Sequence, residues 1–442
     1  MIGGVLAVNL AFVVVGYALL GRRRWHWSWA GLALLVGAGA VGTLVFFATI
    51  VGLHASLLVA SLAAVVLVAL GAFGPGHRLV LGQRPAARVG PLAGALFGLV
   101  TAVCLLGIVG GFRSSPWLDD AWGIWLPKGL ALWHHGLDPR LFVPNGAFVT
   151  FGVPDYPLWW SVVSSLDVQA AGDVDVRVMC AQLALLTAGF VGATARLLWG
   201  YVRPSVLAAG LALLVLSPEL WRHVQGGVAD LPLALYLALG VLSGALWLKS
   251  RAPFHLVLAG FAFAVALQIK TEALPEVAAL VLVGTLFARR LAWAGLALLA
   301  ALPWLLWRWI EDVPSRAKLD FTRADRLPDA VRAVSEHLFD PTEWLVLVPA
   351  VIVLALLARR PKALLVPGAL VAVVLVAYWI DRDEIGYVLA TSAYRVIDPI
   401  VLSAAVLIPL LAESFLQQRE PLREDRALVG EPRDDSRVVQ QH

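Results

Sequence analysis

Residues 29–53 read WAGLALLVGAGAVGTLVFFATIVGL, an apolar run without a charged side chain. A helix needs about 20 such residues to cross the hydrocarbon core of a bilayer. In lipid, only helices and closed barrels satisfy every backbone polar group. The stretch therefore predicts a transmembrane helix, and its small residues Gly37, Gly39 and Gly42 predict close packing against neighbouring helices.

Comparable runs recur along the chain of 442 residues, which is 60% hydrophobic, 14% charged and has a mean hydropathy of +0.82. This composition excludes a soluble fold. We predict an all-α, polytopic membrane protein with about thirteen spans, whose outward loops carry short juxtamembrane helices. The predicted spans are residues 2–20, 29–53, 55–73, 91–111, 174–198, 205–217, 231–248, 254–269, 274–288, 291–309, 343–358, 363–380 and 397–412.

Loop charges predict the orientation of these spans, because basic residues favour the cytoplasmic side. Basic clusters occur at Arg22–Arg24, His77–Arg88, Arg196–Arg203, Lys249 and Arg251, Arg289 and Arg290, and Arg359–Lys362. The N-terminus is then outside and the C-terminus inside. The loops at 112–173, 218–230, 310–342 and 381–396 face outward.

Three regions follow from this pattern: an N-terminal transmembrane hairpin region (1–90), a transmembrane catalytic core (91–412) that includes the first outward loop (112–173), and a disordered cytoplasmic tail (413–442). The stretch 156–171 is predicted to lie along or dip into the membrane, since a further span there would reverse every later loop. Residues 328–339 predict an amphipathic helix on the membrane surface.

Several chemistries are disfavoured by what the sequence lacks. Cys104 and Cys180 both lie in apolar segments, so they indicate neither disulfides nor a thiolate metal site. No phosphate-binding glycine loop, nucleophile elbow, paired-histidine zinc motif or dinucleotide fingerprint is present. The net charge of +4 comes largely from short loops and reports topology, not a nucleic-acid partner.

The first outward loop contains paired carboxylates, Asp119 and Asp120, within LDDAWGIW. They precede a helix-like stretch, so one of them can cap that helix; two adjacent carboxylates also suit a catalytic base or a metal ligand. The loop is rich in indoles that suit either membrane-interface anchoring or stacking on sugar rings. These are Trp122, Trp125, Trp133, Trp159 and Trp160. His134 and His135 favour loop or interface roles over metal binding.

Three further outward segments contain charged residues beside predicted spans. GGVADLPLALY places Asp230 at the mouth of a span, where helix capping is the competing interpretation. IKTEALPE contains Lys270 and Glu272, and charges so close to hydrocarbon tend to be functional. TSAYRVIDP contains Arg395, whose guanidinium suits a phosphate or a nearby carboxylate.

Together with PDYPLWW and PKGLAL, these segments resemble the multi-spanning GT-C superfamily of glycosyltransferases, in particular bacterial protein mannosyltransferase-like and aminoarabinose transferase-like enzymes. The likeness runs from about residue 117 to 399 and rests on the order and common outward placement of the segments. Such enzymes commonly have Lys-Asn-Glu-Gly where this chain has Lys270, Thr271, Glu272 and Ala273. They commonly have Asp-Glu where this chain has Asp119 and Asp120.

The resemblance implies a glycosyltransferase that moves a sugar from a polyprenyl-phosphate donor to a glycan, lipid or protein acceptor. Asp120 or Asp119 would be the catalytic base, and Lys270 and Arg395 would bind the donor phosphate. The expected substrate-orienting residues are Asp155, Tyr156, Asp230, Glu272 and Lys128. Asp119 and Asp120 would hold a divalent cation, Mg²⁺ or Mn²⁺, if one is used; carboxylates acting without a metal are the alternative.

Two other classes of function stay open: a secondary transporter, and a non-catalytic component of cell-envelope glycan assembly. A transporter usually has charged residues and broken helices near the bilayer midplane, whereas this sequence places its charges at the outer ends of spans. The bias towards Arg, Ala, Leu and Val indicates a high-GC bacterium. We therefore expect a multi-pass protein of the bacterial inner membrane, in contact with membrane lipids, with its site facing outward.

Overall fold

The computed structural model describes residues 1–21, 25–73, 88–142, 153–314, 320–381 and 383–419. No β-strand occurs in these ranges, and an isolated bridge joins Trp199 and Val202. The all-α prediction is therefore confirmed for the described part of the chain. The basic residues Arg22–Arg24, most of the predicted loop His77–Arg88 and the predicted tail from residue 420 onward lie outside the described residues.

The described residues form α-helices, several of which are joined by only a few residues. In chain order they are α1 (Ile2–Leu20), α2 (Ala30–Ile50), α3 (Leu57–Phe73), α4 (Pro91–Arg113), α5 (Leu126–His134), α6 (Trp159–Ala171), α7 (Arg177–Leu198), α8 (Pro204–Val215), α9 (Pro218–Val224), α10 (Asp230–Ser250), α11 (Pro253–Ala266), α12 (Ala273–Phe287), α13 (Leu302–Ile310), α14 (Leu327–Phe339), α15 (Pro341–Trp344), α16 (Leu347–Leu357), α17 (Leu365–Ile380), α18 (Ile385–Val396), α19 (Asp398–Ala405) and α20 (Ile408–Arg419). A π-helical turn, Ala121–Trp125, leads into α5, and a 3-10 segment, Arg289–Ala301, leads into α13.

Eight helices in the described ranges are long and apolar enough to cross a membrane, or up to ten if each of two bent pairs is one span. They indicate a multi-pass membrane protein. The predicted number of about thirteen spans is not confirmed. Three of the predicted segments form apolar helices of fewer than 18 residues, at Leu57–Ala72, Pro253–Ala266 and Ala273–Phe287.

Glycines bring the first two helices into backbone contact, as their spacing predicted. A Cβ atom at Gly37 would lie 1.7 Å from the carbonyl oxygen of Phe12 on α1, and one at Gly16 would lie 1.8 Å from that of Ala33 on α2. A larger side chain at either position would therefore push the helices apart. Beyond this contact, Tyr236 of α10 donates a hydrogen bond to Leu35 O at 2.8 Å, so the N-terminal region shares its core with later helices.

The stretch 156–171 contains α6, whose residues from Trp159 to Val168 are all buried among neighbouring helices. That it dips into the membrane stays a prediction. The interface interpretation is wrong for Trp125, Trp159 and Trp160, which are 1%, 0% and 0% exposed. Trp122, at 48% exposed, remains at the surface. A large aromatic ring suits an interface and a core equally well, and only the tertiary packing decides between them.

The amphipathic helix predicted at 328–339 is present as α14. Its buried residues Ala330, Val334 and Leu338 recur every four positions and form one face. This face packs against α17 and α18, the two helices that form one wall of the site described below. The helix therefore supports that wall.

Candidate functional site

Lys270 lies at the centre of a buried group of charges. It occupies the short turn between α11 and α12, and its Nζ lies 2.8 Å from Oδ1 of Asp230, the first residue of α10. Both side chains are almost fully buried. Glu272 Oε1 lies 3.5 Å from the same Nζ. Burial by itself would lower the pKa of Lys270, but Asp230 and Glu272 raise it well above its usual value, so the ammonium stays charged.

Arg395 brings a second positive charge to Asp230. It lies in the last turn of α18, and its Nη1 is 2.5 Å from Asp120 Oδ2 and 3.9 Å from Asp230 Oδ2. Asp230 is therefore flanked by an ammonium and a guanidinium. We call Asp120, Asp230, Lys270, Glu272 and Arg395 the ion-pair cluster. Its members come from four of the sequence segments that the resemblance singled out.

Tyr156 holds Glu272 beside Lys270. The Tyr156 hydroxyl donates a hydrogen bond to Glu272 Oε1 at 2.7 Å, and its ring stacks on that of Trp125 with centroids 5.4 Å apart and an interplanar angle of 6°. The ring also lies 5.2 Å from Lys270 Nζ. Burial, followed by the charge of Glu272, raises the pKa of Tyr156 well above its usual value, so the phenol remains a donor.

A cavity of about 310 Å³ opens beside the ion-pair cluster. One side is polar and carries side chains from the Tyr156 loop, the start of α10 and the turn before α12. The opposite side is formed by α17 and α18 and combines apolar side chains with the hydroxyls of Tyr378, Tyr387, Thr391 and Ser392. The lining residues of the cavity include Asp155, Tyr156, Asp230, Lys270, Glu272, Glu276 and Arg395 as polar members and Val373, Val374, Ala377, Val388 and Val396 as apolar members. Asp381 and Asp383, between α17 and α18, also line the cavity, which is therefore amphiphilic.

The remaining residues singled out from the sequence lie outside the ion-pair cluster. Asp120 contacts the cavity only through Arg395, and Asp119 is exposed. Asp155 lines the cavity, with Oδ2 4.0 Å from Arg308 Nη2. Lys128 is 0% exposed and does not line the cavity; its ammonium donates to Val153 O among aromatic rings. Direct contact of Lys128 with a substrate in this cavity is therefore not supported.

Neither Asp120 nor Asp230 caps a helix with its side chain, although capping was one interpretation of each residue. Asp120 precedes the π-helical turn but makes no capping bond with its side chain, and its carboxylate binds Arg395 instead. Asp230 is the first residue of α10 and likewise pairs with Lys270 across helices. In both cases an interhelical ion pair has replaced the local hydrogen bond of a cap.

The carboxylates of the first loop do not fit a metal site. Asp120 is paired with Arg395 and Asp119 points to the surface. In the part of the chain that the structure describes, no three His, Cys, Asp or Glu side chains are grouped closely enough to hold a metal ion. No step of the proposed reaction therefore uses a metal.

Two groups of buried charged residues were not identified from the sequence. His223 on α9 lies 2.8 Å from Asp398 on α19 through Nδ1 and 3.0 Å from Glu219 through Nε2. Glu276 lies one helical turn after Glu272 and lines the cavity. Glu219 and His223 are four residues apart, and so are Glu272 and Glu276. This spacing places side chains on one face of a helix and could have revealed His223 and Glu276 in the sequence.

Comparisons with known proteins add no assignment. No protein-family model matches the chain, and no curated protein or solved structure shows significant similarity to it. The likeness to the GT-C superfamily stays a prediction from sequence segments, and function has to be argued from the site itself.

Proposed function

We propose that this protein is a membrane glycosyltransferase that transfers a sugar from a polyprenyl-phosphate donor to an acceptor at the non-cytoplasmic face of a bacterial inner membrane. The observation that carries this proposal is the position of Lys270 and Arg395 on either side of Asp230, in the lining of an amphiphilic cavity. A lipid phosphate needs such a combination: cations for its head and an apolar wall for its chain.

The phosphate would be held by Lys270 and Arg395, each of which is already desolvated. The helices α10 and α12 both begin at the cavity, so their N-terminal backbone groups add a favourable potential for an anion. A buried ion pair contributes little net stability once the cost of desolvating its charges is subtracted. The Asp120 side chain is 32% exposed, so water can solvate this carboxylate when a phosphate oxygen takes its place on Arg395.

Asp120 is the proposed base. It is bound to Arg395, and a phosphate that takes over this guanidinium releases the carboxylate to accept a proton. The acceptor oxygen then forms a bond to the anomeric carbon, and its proton passes to Asp120. The bond between that carbon and the phosphate oxygen breaks, and its electron pair leaves on the lipid phosphate. Cations oriented towards this leaving group are typically worth about 100-fold or more in rate.

The proposal is tested by transfer of radiolabelled sugar from polyprenyl-phosphate donors in membranes with matched expression. We expect Lys270→Ala and Asp120→Asn to lose transfer. Lys249→Ala is the matched lysine control, because Lys249 is at the other end of α10, about 30 Å from Asp230 at 1.5 Å per residue. Asp175→Asn is the control for Asp120, since Asp175 also pairs with an arginine, Arg177, but not at the cavity. Wild-type membranes that transfer no sugar from any such donor would contradict the proposal.

A secondary transporter is the second candidate, and a specific observation favours it. Two pairs of helices are bent sharply at short breaks: α8 and α9 by 57°, and the segment Ala324–Trp344 against α16 by 99°. Broken helices line substrate sites in many transporters. Sugar-lipid or solute uptake into proteoliposomes without any new glycosidic product would support this candidate over the transferase.

A further inference from the structure

Glu276 is a buried carboxylate that the proposed reaction does not use. It lies in the first turn of α12, where its side chain is only 3% exposed and lines the cavity. Its Oε2 has no hydrogen-bond partner among the described residues. Burial of a carboxylate oxygen without a donor is costly, and most buried polar atoms have a partner. An unpartnered oxygen that borders a cavity indicates a donor supplied by a ligand.

The neighbouring charges do not provide that donor. The ammonium of Lys270 is 2.8 Å from Asp230 and 3.5 Å from Glu272. The Tyr156 hydroxyl donates to Glu272. The Lys270 ammonium and the Tyr156 hydroxyl are therefore already directed at other carboxylates.

Hydroxyl groups occupy the wall across the cavity. Tyr378 on α17 and Ser392 on α18 line it, with their oxygens 3.0 Å apart. The cavity volume of about 310 Å³ is at the lower end of the range of roughly 300–1,000 Å³ for small-molecule sites. This space suits a compact polar head group with several hydroxyls better than a bulky apolar group.

We propose that Glu276 forms a head-group subsite, in which its carboxylate accepts a hydrogen bond from a sugar hydroxyl of the lipid-linked donor. The subsite lies next to Lys270, so the phosphate and the sugar of one donor are bound side by side. Glu276 then distinguishes a sugar-bearing lipid phosphate from a bare one. This inference rests on the proposed function and adds the residue that recognises the sugar.

The test compares two ligands on the purified full-length chain in detergent. The probes are polyprenyl phosphate and polyprenyl-phosphoryl hexoses, and the dissociation constant of each is measured by intrinsic tryptophan fluorescence. A hydrogen bond between neutral groups is worth roughly twofold to tenfold in affinity, so the wild type should prefer a hexose lipid by about this factor.

Three variants locate the preference. Glu276→Gln retains an acceptor oxygen and should keep part of the preference, whereas Glu276→Met removes both carboxyl oxygens at similar volume and should lose all of it. Polyprenyl phosphate should bind both variants as it binds the wild type. The exposed Glu336 on α14 provides the control, Glu336→Gln, which should leave the preference intact.

The outcomes separate the subsite from the proposed function. Equal binding of both lipids by the wild type, or an unchanged preference in Glu276→Met, overturns the subsite while phosphate binding still stands. A loss of polyprenyl phosphate binding in Glu276→Gln also overturns it, because Glu276 would then support the whole cavity. Failure of the wild type to bind either lipid overturns the proposed function and the subsite with it.

Discussion

The ammonium of Lys270 lies 2.8 Å from the carboxylate of Asp230, although 40 positions separate the two residues in the chain. Both are buried, so each compensates for the cost of desolvating the other. Arg395 approaches the second oxygen of the same carboxylate at 3.9 Å. The stability of this part of the fold and its capacity to bind an anion therefore depend on the same charges.

Removing one partner of the Lys270–Asp230 pair should destabilise the protein more than removing both. Lys270→Met leaves an uncompensated buried carboxylate, and Asp230→Asn leaves two cations with less compensation, at a cost of about 3–5 kcal/mol for a broken buried pair. The double variant should recover part of that loss. Thermal unfolding of the four proteins in detergent measures the coupling. Additive effects of the two substitutions would contradict a direct pair.

Substitution of His223 should be equally costly for a different reason. It lies between Glu219 and Asp398, both buried, and His223→Ala leaves two carboxylates without their common partner. We expect a loss of about 3–5 kcal/mol in unfolding free energy. Salt should change this loss little, because buried pairs are weakly screened. Arg332→Ala, which breaks the exposed pair with Asp329, is the control and should cost about 1 kcal/mol or less.

Lys128 should make the stability depend on pH above neutrality. Burial lowers the pKa of Lys128 to about 7, Asp155 raises it and Arg308 lowers it. In the unfolded chain the pKa returns to about 10.5, so between pH 7 and 10.5 the unfolded chain binds more protons and stability rises with pH. Lys128→Met should flatten this rise. Parallel pH profiles of the melting temperature for variant and wild type would show that the lysine is charged throughout.

Tyr156→Phe should loosen the position of Lys270 without altering the aromatic stack. The variant keeps the ring against Trp125 but removes the hydroxyl that donates to Glu272. Hydrogen bonds to charged groups contribute roughly 1.5–3 kcal/mol, so unfolding and binding of polyprenyl phosphate should both weaken measurably. Tyr17→Phe, which removes a hydroxyl that donates to His26 O outside the cavity lining, is the control for the hydroxyl. An unaffected Tyr156→Phe would mean that Glu272 finds another donor.

The orientation of the chain can be tested with single cysteines in a background without Cys104 and Cys180. Asp138→Cys lies in the first outward loop and should react with a membrane-impermeant maleimide in intact cells. Ser250→Cys, next to Lys249 and Arg251 at the end of α10, should react only after the membrane is opened, because basic loops favour the cytoplasm. The reverse labelling pattern would place the ion-pair cluster on the cytoplasmic side.

The sequence singled out several residues that the structure brings together, but it did not identify their partners. Lys270, Asp230 and Arg395 stood out because charges beside apolar spans are rare. Whether Arg395 would bind a carboxylate or remain available for a phosphate was left open, and the structure pairs it with Asp120. Glu276 was not singled out, because an acidic residue in the first turn of a helix is common and its burial cannot be read from the sequence.

The tryptophans also show that residue type alone does not predict the environment of a side chain. Trp122 and Trp160 occur in similar outward segments rich in aromatic residues, yet the first is 48% exposed and the second is fully buried. Indole rings suit lipid interfaces, sugar surfaces and protein cores, so residue type does not separate these environments. Only the neighbours that the fold places around each ring distinguish them.

The sequence by itself determined that the chain forms apolar helices suited to a membrane, because hydrophobicity and backbone hydrogen bonding are local properties of each segment. It also indicated where charges interrupt those helices. The tertiary structure alone decided that Asp230, Lys270 and Arg395 converge on one cavity, that Asp120 binds Arg395, and that Glu276 lines the cavity with Oε2 unpartnered among the described residues. Electrostatic pairing falls steeply with distance and depends on burial, and both are set by how distant helices pack.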